Sequence, residues 1–582
     1  MAQNQLNKKI KVWNNIIILL SIIGLIACIT VLFPQVRRMI MDWAEQMMHQ
    51  ESSTYQSWLD TLLSYALGGI CFILLFDYCT LTNSGRTLVQ KVKQEIKDCF
   101  FEIDFKAFVK PGLLMFIIYL LGIFTIIRAN VLYIDDIGRA AGGGRGWYNW
   151  SRYISDYLSI LIHGDTVLTE ISPLPQLLAI LMLSLSSVFL VYVISNKKIT
   201  VVGLLASIPL GLSPYFLECL SYKFDAPYMA LAVLASIVPF LFIARKKAFL
   251  FISIVSLLVL CMSYQAASGI YPLIVLILCF RDWNNGKSNK EIFSFLGLGV
   301  LAFCLSMIIF KLFFVKPYIV AESTTVMHSP AQMIPGVLAN LKTYLQSINQ
   351  DFGLIWKIII LIICFFFIIK AVFNSAQQKL VSFVVSLFLI CFMIILSYGA
   401  YLLLEAPLFA PRALFGFGAF LAIICIYISD YKKAAIVAVL ALNWCFMVFA
   451  FSYGNALADQ NRYTTFRITI LLHDLSILYP DRNTEDMSIQ INNKLDFTPT
   501  VKNIAKHYPV IKRLVPPQLA EQDLYAYVYF LNYFNWGYLK RQDFSYSEGY
   551  VDYRKCDLPV VLDSYYHTIK SDGERILVIL KH

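Results

Sequence analysis

Apolar runs recur along the chain at about 14–33, 59–82, 111–130, 174–194, 199–213, 227–244, 248–262, 267–280, 292–315, 353–373, 380–403, 413–429 and 434–451. A helix needs about 20 apolar residues to cross the hydrocarbon core of a bilayer. Most of these runs approach that length, so the pattern predicts roughly 11–13 transmembrane helices. The short runs at 199–213 and 248–262 read as half-spans or as helices broken near a functional face. Two segments outside the runs show one apolar face each. Val36, Ile40, Trp43 and Met47 line the first, and Ile96, Phe100, Ile103 and Phe108 the second. Both read as interfacial helices. So does 147–163, which places Trp147, Trp150, Ile154, Tyr157, Leu158 and Leu161 on one broad face.

The pattern changes at Ser452, after which polar residues, Asp, Asn and Pro become common. Segments 464–478, 500–514 and 518–534 read as amphipathic helices. Alternation around Ile489 and Ile491, and the apolar runs 558–562 and 575–580, read as strands. The expected organisation is an N-terminal extension over 1–110 with two spans and interfacial helices, a transmembrane catalytic domain over 111–451, and a small α/β domain over 452–582. The chain shows no inverted or tandem repeat.

Composition narrows the class. The chain is 58% hydrophobic and only 15% charged, with a mean hydropathy of +0.66. No soluble fold hides that much apolar surface, which makes this a polytopic membrane protein. The formal net charge of +11 then reflects basic turns rather than nucleic-acid binding. Most of the 13 cysteines, including Cys28, Cys71, Cys304, Cys364, Cys391 and Cys425, lie inside apolar runs and read as small buried hydrophobes. Cys219 and Cys556 are candidates for a shared oxidising compartment. Lys8, Lys9 and Lys11 precede the first run without a small-residue cleavage site, so that run reads as a retained helix.

Charge sets the orientation. Arg86 to Lys110, Lys197-Lys198, Arg245-Lys246-Lys247, Arg281 with Lys287 and Lys290, and Lys432-Lys433 all fall on alternate turns, on one side of the helices. By the positive-inside rule that side is cytoplasmic. The opposite side receives the loop after 111–130, then 214–226, 263–266, 316–352, 404–412 and everything after 452. In a bacterium it is the periplasm.

Cations should be scarce outside, yet Arg139, Arg145, Arg152, Lys223, Lys316 and Arg412 all fall there. So do Asp135, Asp136, Asp156, Asp165, Glu170, Glu218, Asp225, Glu322 and Glu405. Singly these read equally well as helix-end anchors and ion pairs. As a set on one face they describe a polar chamber at the membrane interface. Its centre is Tyr133-Ile134-Asp135-Asp136-Ile137-Gly138-Arg139, followed by the basic glycine loop Gly142-Gly143-Gly144-Arg145-Gly146. A secondary transporter places ionisable groups near the bilayer midplane within repeated halves. An enzyme acting on a lipid-linked substrate needs them at headgroup depth, which is where they lie here.

The ordered series Asp135-Asp136-Ile137-Gly138-Arg139, Ile171-Ser172-Pro173-Leu174-Pro175-Gln176, Tyr222-Lys223-Phe224-Asp225, Ser263-Tyr264-Gln265 and Ala410-Pro411-Arg412 resembles the serotype-converting O-antigen glucosyltransferases of the GtrII type. The resemblance covers about 110–430. It implies a fold of the GT-C class and transfer of glucose from undecaprenyl phosphate-glucose to a sugar of the lipid-linked O-antigen in the periplasm. In that class the first periplasmic loop carries the catalytic carboxylate. Here the matching loop follows the third apolar run, so the runs at 14–33 and 59–82 are additions to the plan.

The chemistry of such a transfer asks for one carboxylate as general base and for cations on the leaving phosphate. Asp135 and Asp136 are the candidate catalytic residues. On an extended backbone they point to opposite sides and take separate roles, in an order the sequence leaves open. Arg139, Lys223 and Arg412 are candidates for the donor phosphate. Arg145, Asp225, Tyr264, Gln265 and Glu405 are candidates for other substrate contacts. A monophosphate donor demands no metal, so no cofactor is expected. The other envelope functions compatible with the pattern are O-antigen polymerisation and flipping of a polyisoprenoid-linked sugar; donor consumption separates them. The C-terminal domain reads either as a stabilising cap or as an acceptor-binding module. Its aromatics Tyr525, Tyr527, Tyr529, Tyr533, Phe534, Trp536 and Tyr538 suit sugar stacking or a domain core equally.

Overall fold

The computed structural model describes residues 104–315, 326–480, 488–516 and 550–581, together with Thr87, Gln90, Gln94 and Leu519. The chain divides between Asp104 and Phe105 into two units, and the description that follows is of the second. The runs at 14–33 and 59–82, the first interfacial segment, Lys316, Glu322 and the aromatic series at 525–538 lie outside the described residues.

Every apolar run between 111 and 451 is helical. In chain order the helices are α1 (Lys106–Ala129), α2 (Asp135–Gly142), α3 (Tyr153–His163), α4 (Leu174–Ile194), α5 (Val201–Ala206), α6 (Pro209–Leu212), α7 (Pro214–Ser221), α8 (Ala226–Ile237), α9 (Lys246–Ser263), α10 (Ile270–Asn284) and α11 (Asn289–Phe313). They continue as α12 (Met333–Asp351), α13 (Leu354–Phe373), α14 (Lys379–Leu396), α15 (Gly416–Ile428) and α16 (Lys433–Leu478). Among the described residues, eight helices are long and apolar enough to cross a membrane, or nine if one bent pair is a single span.

That bent pair is the run at 199–213. It continues through α7 and turns by 61° at the Ser213-Pro214 step, as its shortness predicts. Pro214 has no N–H to extend the preceding helix, so the break falls there. The other short run is different. α9 is an unbroken helix of 18 residues. Two apolar helices are shorter than a span, at 226–242 and 416–428. They need no more length: α15 is buried along its whole sequence, so protein rather than lipid surrounds it.

The basic turns converge at one end of the bundle. Arg281 donates to the carbonyls of Val193 and Ile194 at 2.9 and 3.0 Å. Lys370 pairs with Asp430, and Gln377 donates to the Trp283 carbonyl at 3.0 Å. The loops after α1, α3, α7, α9 and α14 gather at the opposite end.

α16 is 46 residues long and runs straight through Ser452. The change in composition there marks a change in surroundings along one helix, not a break between domains. Beyond it come strand β1 (Ser488–Asn492), helices α17 (Pro499–His507) and α18 (Ile511–Leu514), and strands β2 (Val560–Asp563), β3 (His567–Ser571) and β4 (Arg575–Leu580). The expected helix over 500–514 is split at Tyr508-Pro509. Strand β3 was absent from the hydropathy pattern because its residues, His-Thr-Ile-Lys-Ser, contain a single aliphatic side chain. The sheet order is β1-β4-β3-β2, with β1 parallel to β4 and the other pairs antiparallel. Ile576, Val578 and Leu580 face one side and pack on Ile468, Leu471 and Leu475 of α16. Leu577 faces the other and meets Tyr553 and Leu558, as the two-residue strand period requires. Ile137 of α2 is a member of the first cluster, which ties this domain to the bundle end that carries the acidic pair.

Candidate active site

The Asp135-Asp136 pair begins a helix rather than lying on extended chain. Negative side chains in a first turn face the positive end of the helix dipole. Ile134 caps α2 with φ +47°, an unusual conformation for a β-branched residue. The turn is closed from both sides. The Asp136 N–H donates to the Tyr133 carbonyl at 3.0 Å, and the Tyr133 N–H donates back to Asp136 Oδ2 at 3.1 Å, the reciprocal logic of a capping box. Asp136 also accepts the backbone N–H groups of Lys223 at 2.8 Å and Phe224 at 3.4 Å. It is fully buried. Burial pushes its carboxyl up to about 8, against the pull of those backbone donors.

Asp135 is placed differently. It is half-buried, and its carboxylate has no hydrogen-bond partner among the described residues. Burial raises its carboxyl above the usual aspartate range, Arg139 draws it back down, and Asp225 adds to the rise. Arg412 and Arg152 also act on it, so the free carboxylate stands in a field of three guanidinium groups. The adjacent acids therefore differ in surroundings, through burial on a helix rather than through strand alternation.

The expected cations are mostly engaged. Arg139 is paired with Asp225 and lies 4.5 Å from the centroid of Trp147, whose indole N–H donates to the other Asp225 oxygen at 2.5 Å. Lys223 is buried and donates to Asn130 and Glu170, each at 2.6 Å. Arg412 receives Glu218 on two sides: its backbone N–H lies 2.5 Å from Oε2 and its guanidinium 3.0 Å from Oε1. Arg145 meets Asp156 at 3.3 Å. Tyr264 donates to the Arg412 carbonyl at 3.1 Å. Gln265 donates to the Trp150 carbonyl at 3.4 Å. Glu405 is exposed, joined through its backbone N–H to Val326 at 2.9 Å, and its side chain contributes nothing to this cluster. Cys219 and Cys556 are both free.

Arg152 is the cation that the motif series left out. Its Nε donates to Gln265 at 3.4 Å, and its guanidinium lies 4.8 Å from the Tyr264 centroid. Among the described residues it has no carboxylate partner. The segment 147–163 is not one helix. Trp147–Trp150 is a 3-10 turn, Ser151 takes φ +59°, and α3 begins at Tyr153. The kink turns Trp147 inward, where it is buried, and leaves Trp150, Tyr157 and Leu161 exposed. It also brings Arg152 beside Gln265. Sequence periodicity has no signal for such a kink, because each half by itself is amphipathic.

A bundle with eight helices of membrane-crossing length among the described residues, with carboxylates and arginines gathered at one end, is the frame of a polytopic membrane protein with a charged site at that end. The comparisons give the family. The profile described as "Glucosyl transferase GtrII" matches residues 124–423, just over half of the chain, and the protein belongs to this family of membrane glucosyltransferases. A further relative is the "uncharacterized 55.3 kDa protein in gtrB 5′ region" of Salmonella phage P22, 25% identical over 414 residues, which are 68% of this chain and 84% of that one. No solved structure matches. The matched stretch contains every site residue above and ends ahead of α16 and the sheet domain.

Proposed function

We propose that the protein takes glucose from undecaprenyl phosphate-glucose and transfers it to a sugar of the lipid-linked O-antigen, at the periplasmic face of a bacterial inner membrane, in one inverting displacement. The observation that carries the reading is the Asp135 carboxylate, which has no hydrogen-bond partner among the described residues and stands in the field of Arg139, Arg412 and Arg152, the last with no carboxylate partner among them. In the step proposed, an acceptor hydroxyl oxygen bonds to the anomeric carbon and its proton passes to Asp135. The bond from that carbon to the phosphate oxygen breaks, and undecaprenyl phosphate leaves with the electron pair. Arg152 and Arg412 face the charge that develops on it. Arg139 and Lys223 hold Asp225 and Glu170 in place and act on the donor indirectly. The site lies at the end of the bundle opposite the basic turns, which by the positive-inside rule supports a periplasmic chamber.

The test is a transfer assay on the detergent-solubilised full chain with labelled undecaprenyl phosphate-glucose and lipid-linked O-antigen. The expected result is label in the glycan and release of undecaprenyl phosphate. An idle donor, or equal use of a nucleotide sugar, overturns the reading. In the same assay Arg152→Ala should lower kcat/KM for the donor by roughly 10²-fold. Arg152→Lys should restore only part of it, since lysine lacks the planar two-pronged donor set. Unchanged donor kinetics in both variants removes Arg152 from the phosphate site.

A further inference from the structure

Two neighbouring residues of the C-terminal domain reach both halves of the site. Arg513, in α18, pairs with Asp351 at the end of α12 and donates to the carbonyl of Phe409, three residues before Arg412. Asp351 in turn accepts the Tyr215 hydroxyl of α7 at 2.9 Å, and burial raises its carboxyl against the pull of Arg513. The next carbonyl, Leu514, accepts the hydroxyl of Tyr133 at 2.7 Å and lies 3.3 Å from that of Tyr453. Tyr133 is two residues before Asp135. It carries a single hydroxyl proton, and the shorter contact sends that proton to Leu514 rather than to Glu218 at 3.4 Å. On the far side of Asp135, Ile137 is buried in the domain's own apolar core, with Leu132 packed against it.

We propose that the 508–515 segment is a strap that sets the distance between the catalytic carboxylate and the Arg412 loop, with Arg513 as its positioning residue. It touches neither reacting atom. It holds Tyr133 from one side and Phe409 from the other, so both loops share one anchor. Burial of the Ile137 side chain favours this docking, and Arg513 adds charge-assisted bonds to a buried carboxylate and a carbonyl. A domain outside the matched family stretch thereby becomes part of the geometry of the reaction.

The inference rests on the proposed transfer reaction, and its test is arranged so that the two can fail separately. Arg513→Ala in the full chain should lower kcat by about 10- to 100-fold, the usual cost of misplacing a reacting group, with the donor KM within about threefold of wild type. Arg513→Lys should recover part of the loss. Tyr133→Phe, which keeps the ring, tests the same strap from the other side. Its effect should be less than additive with Arg513→Ala, because both cut one connection. Unchanged kcat in the single variants, or fully additive losses, overturns the strap. Hydrogen exchange of 133–139 and 405–412 gives a readout independent of turnover. Both segments should exchange faster in Arg513→Ala while α4 and α15 keep their protection. Unaltered exchange in the two loops overturns the strap even where wild type shows no transfer, and an inactive wild type with loosened loops overturns only the reaction.

Discussion

Asp135 and Asp136 are adjacent in sequence and separate in chemistry. Asp136 spends both oxygens on backbone N–H groups of Tyr133, Lys223 and Phe224, so it joins two chain segments. Asp135 accepts no hydrogen bond among the described residues. Asp135→Asn should leave thermal stability unchanged and reduce transfer by at least ~10²-fold, the usual size of a general-base effect. Asp136→Asn sets an amide N–H₂ against a backbone donor and should lower stability by roughly 1–3 kcal/mol. Thermal unfolding and turnover measured on the two variants decide the matter, and the reverse pattern would falsify the assignment. A base works only when ionised. Burial lifts the Asp135 carboxyl above its ordinary range, with Arg139 opposing. Activity is therefore lost as pH falls through a raised value, and the acid limb of kcat should lie above the ~4 of an exposed aspartate. The acidic pair was legible in the sequence. The division of labour was not, because two of the three donors to Asp136 come from a segment nearly ninety residues away.

At the scale of elements, α16 does two jobs in one piece. Its first half packs in the bundle against α1, and its second half is a wall of the sheet domain's core. The crossing with α1 depends on Gly454, where a Cβ would overlap the Thr125 side chain and backbone. Thr125 uses the closeness to donate to the Ala450 carbonyl at 3.1 Å. Such small-residue contacts let membrane helices approach. Gly454→Val should push α1 and α16 apart and lower the thermal stability of the solubilised protein, with Gly454→Ala milder. Equal stability of both variants and wild type sinks this reading of the crossing. The helix itself was predictable in pieces, 434–451 and 464–478, each with its own periodicity. Their continuity was hidden because the composition changes where the environment changes.

At the scale of the molecule, the two ends of the bundle differ in kind. One gathers basic turns around Arg281 and Lys370. The other gathers the acidic pair, the arginines and the sheet domain. The proposed orientation, with the basic end cytoplasmic, puts the C-terminus across the membrane. A reporter that matures only in the cytoplasm, fused after His582, should be silent, and one that needs an oxidising compartment should be active. The opposite pair of signals inverts the orientation and the site with it.

What the chain determined by itself is whatever repeats locally or by side. Runs of apolar residues made the spans, the alternation of basic turns sorted the loops, and the ordered motifs marked the family that the profile over 124–423 identifies. Those signals survive in sequence because hydrophobic and positive-inside energetics act on each segment separately. The tertiary structure alone decided which of the two carboxylates accepts no hydrogen bond among the described residues, which arginine of the site has no carboxylate partner among them, and that Arg513 and Leu514 hold the loops of Asp135 and Arg412 together. Those outcomes depend on contacts between segments up to several hundred residues apart, such as Tyr133 with Leu514. Burial and pairing are settled only when such segments meet.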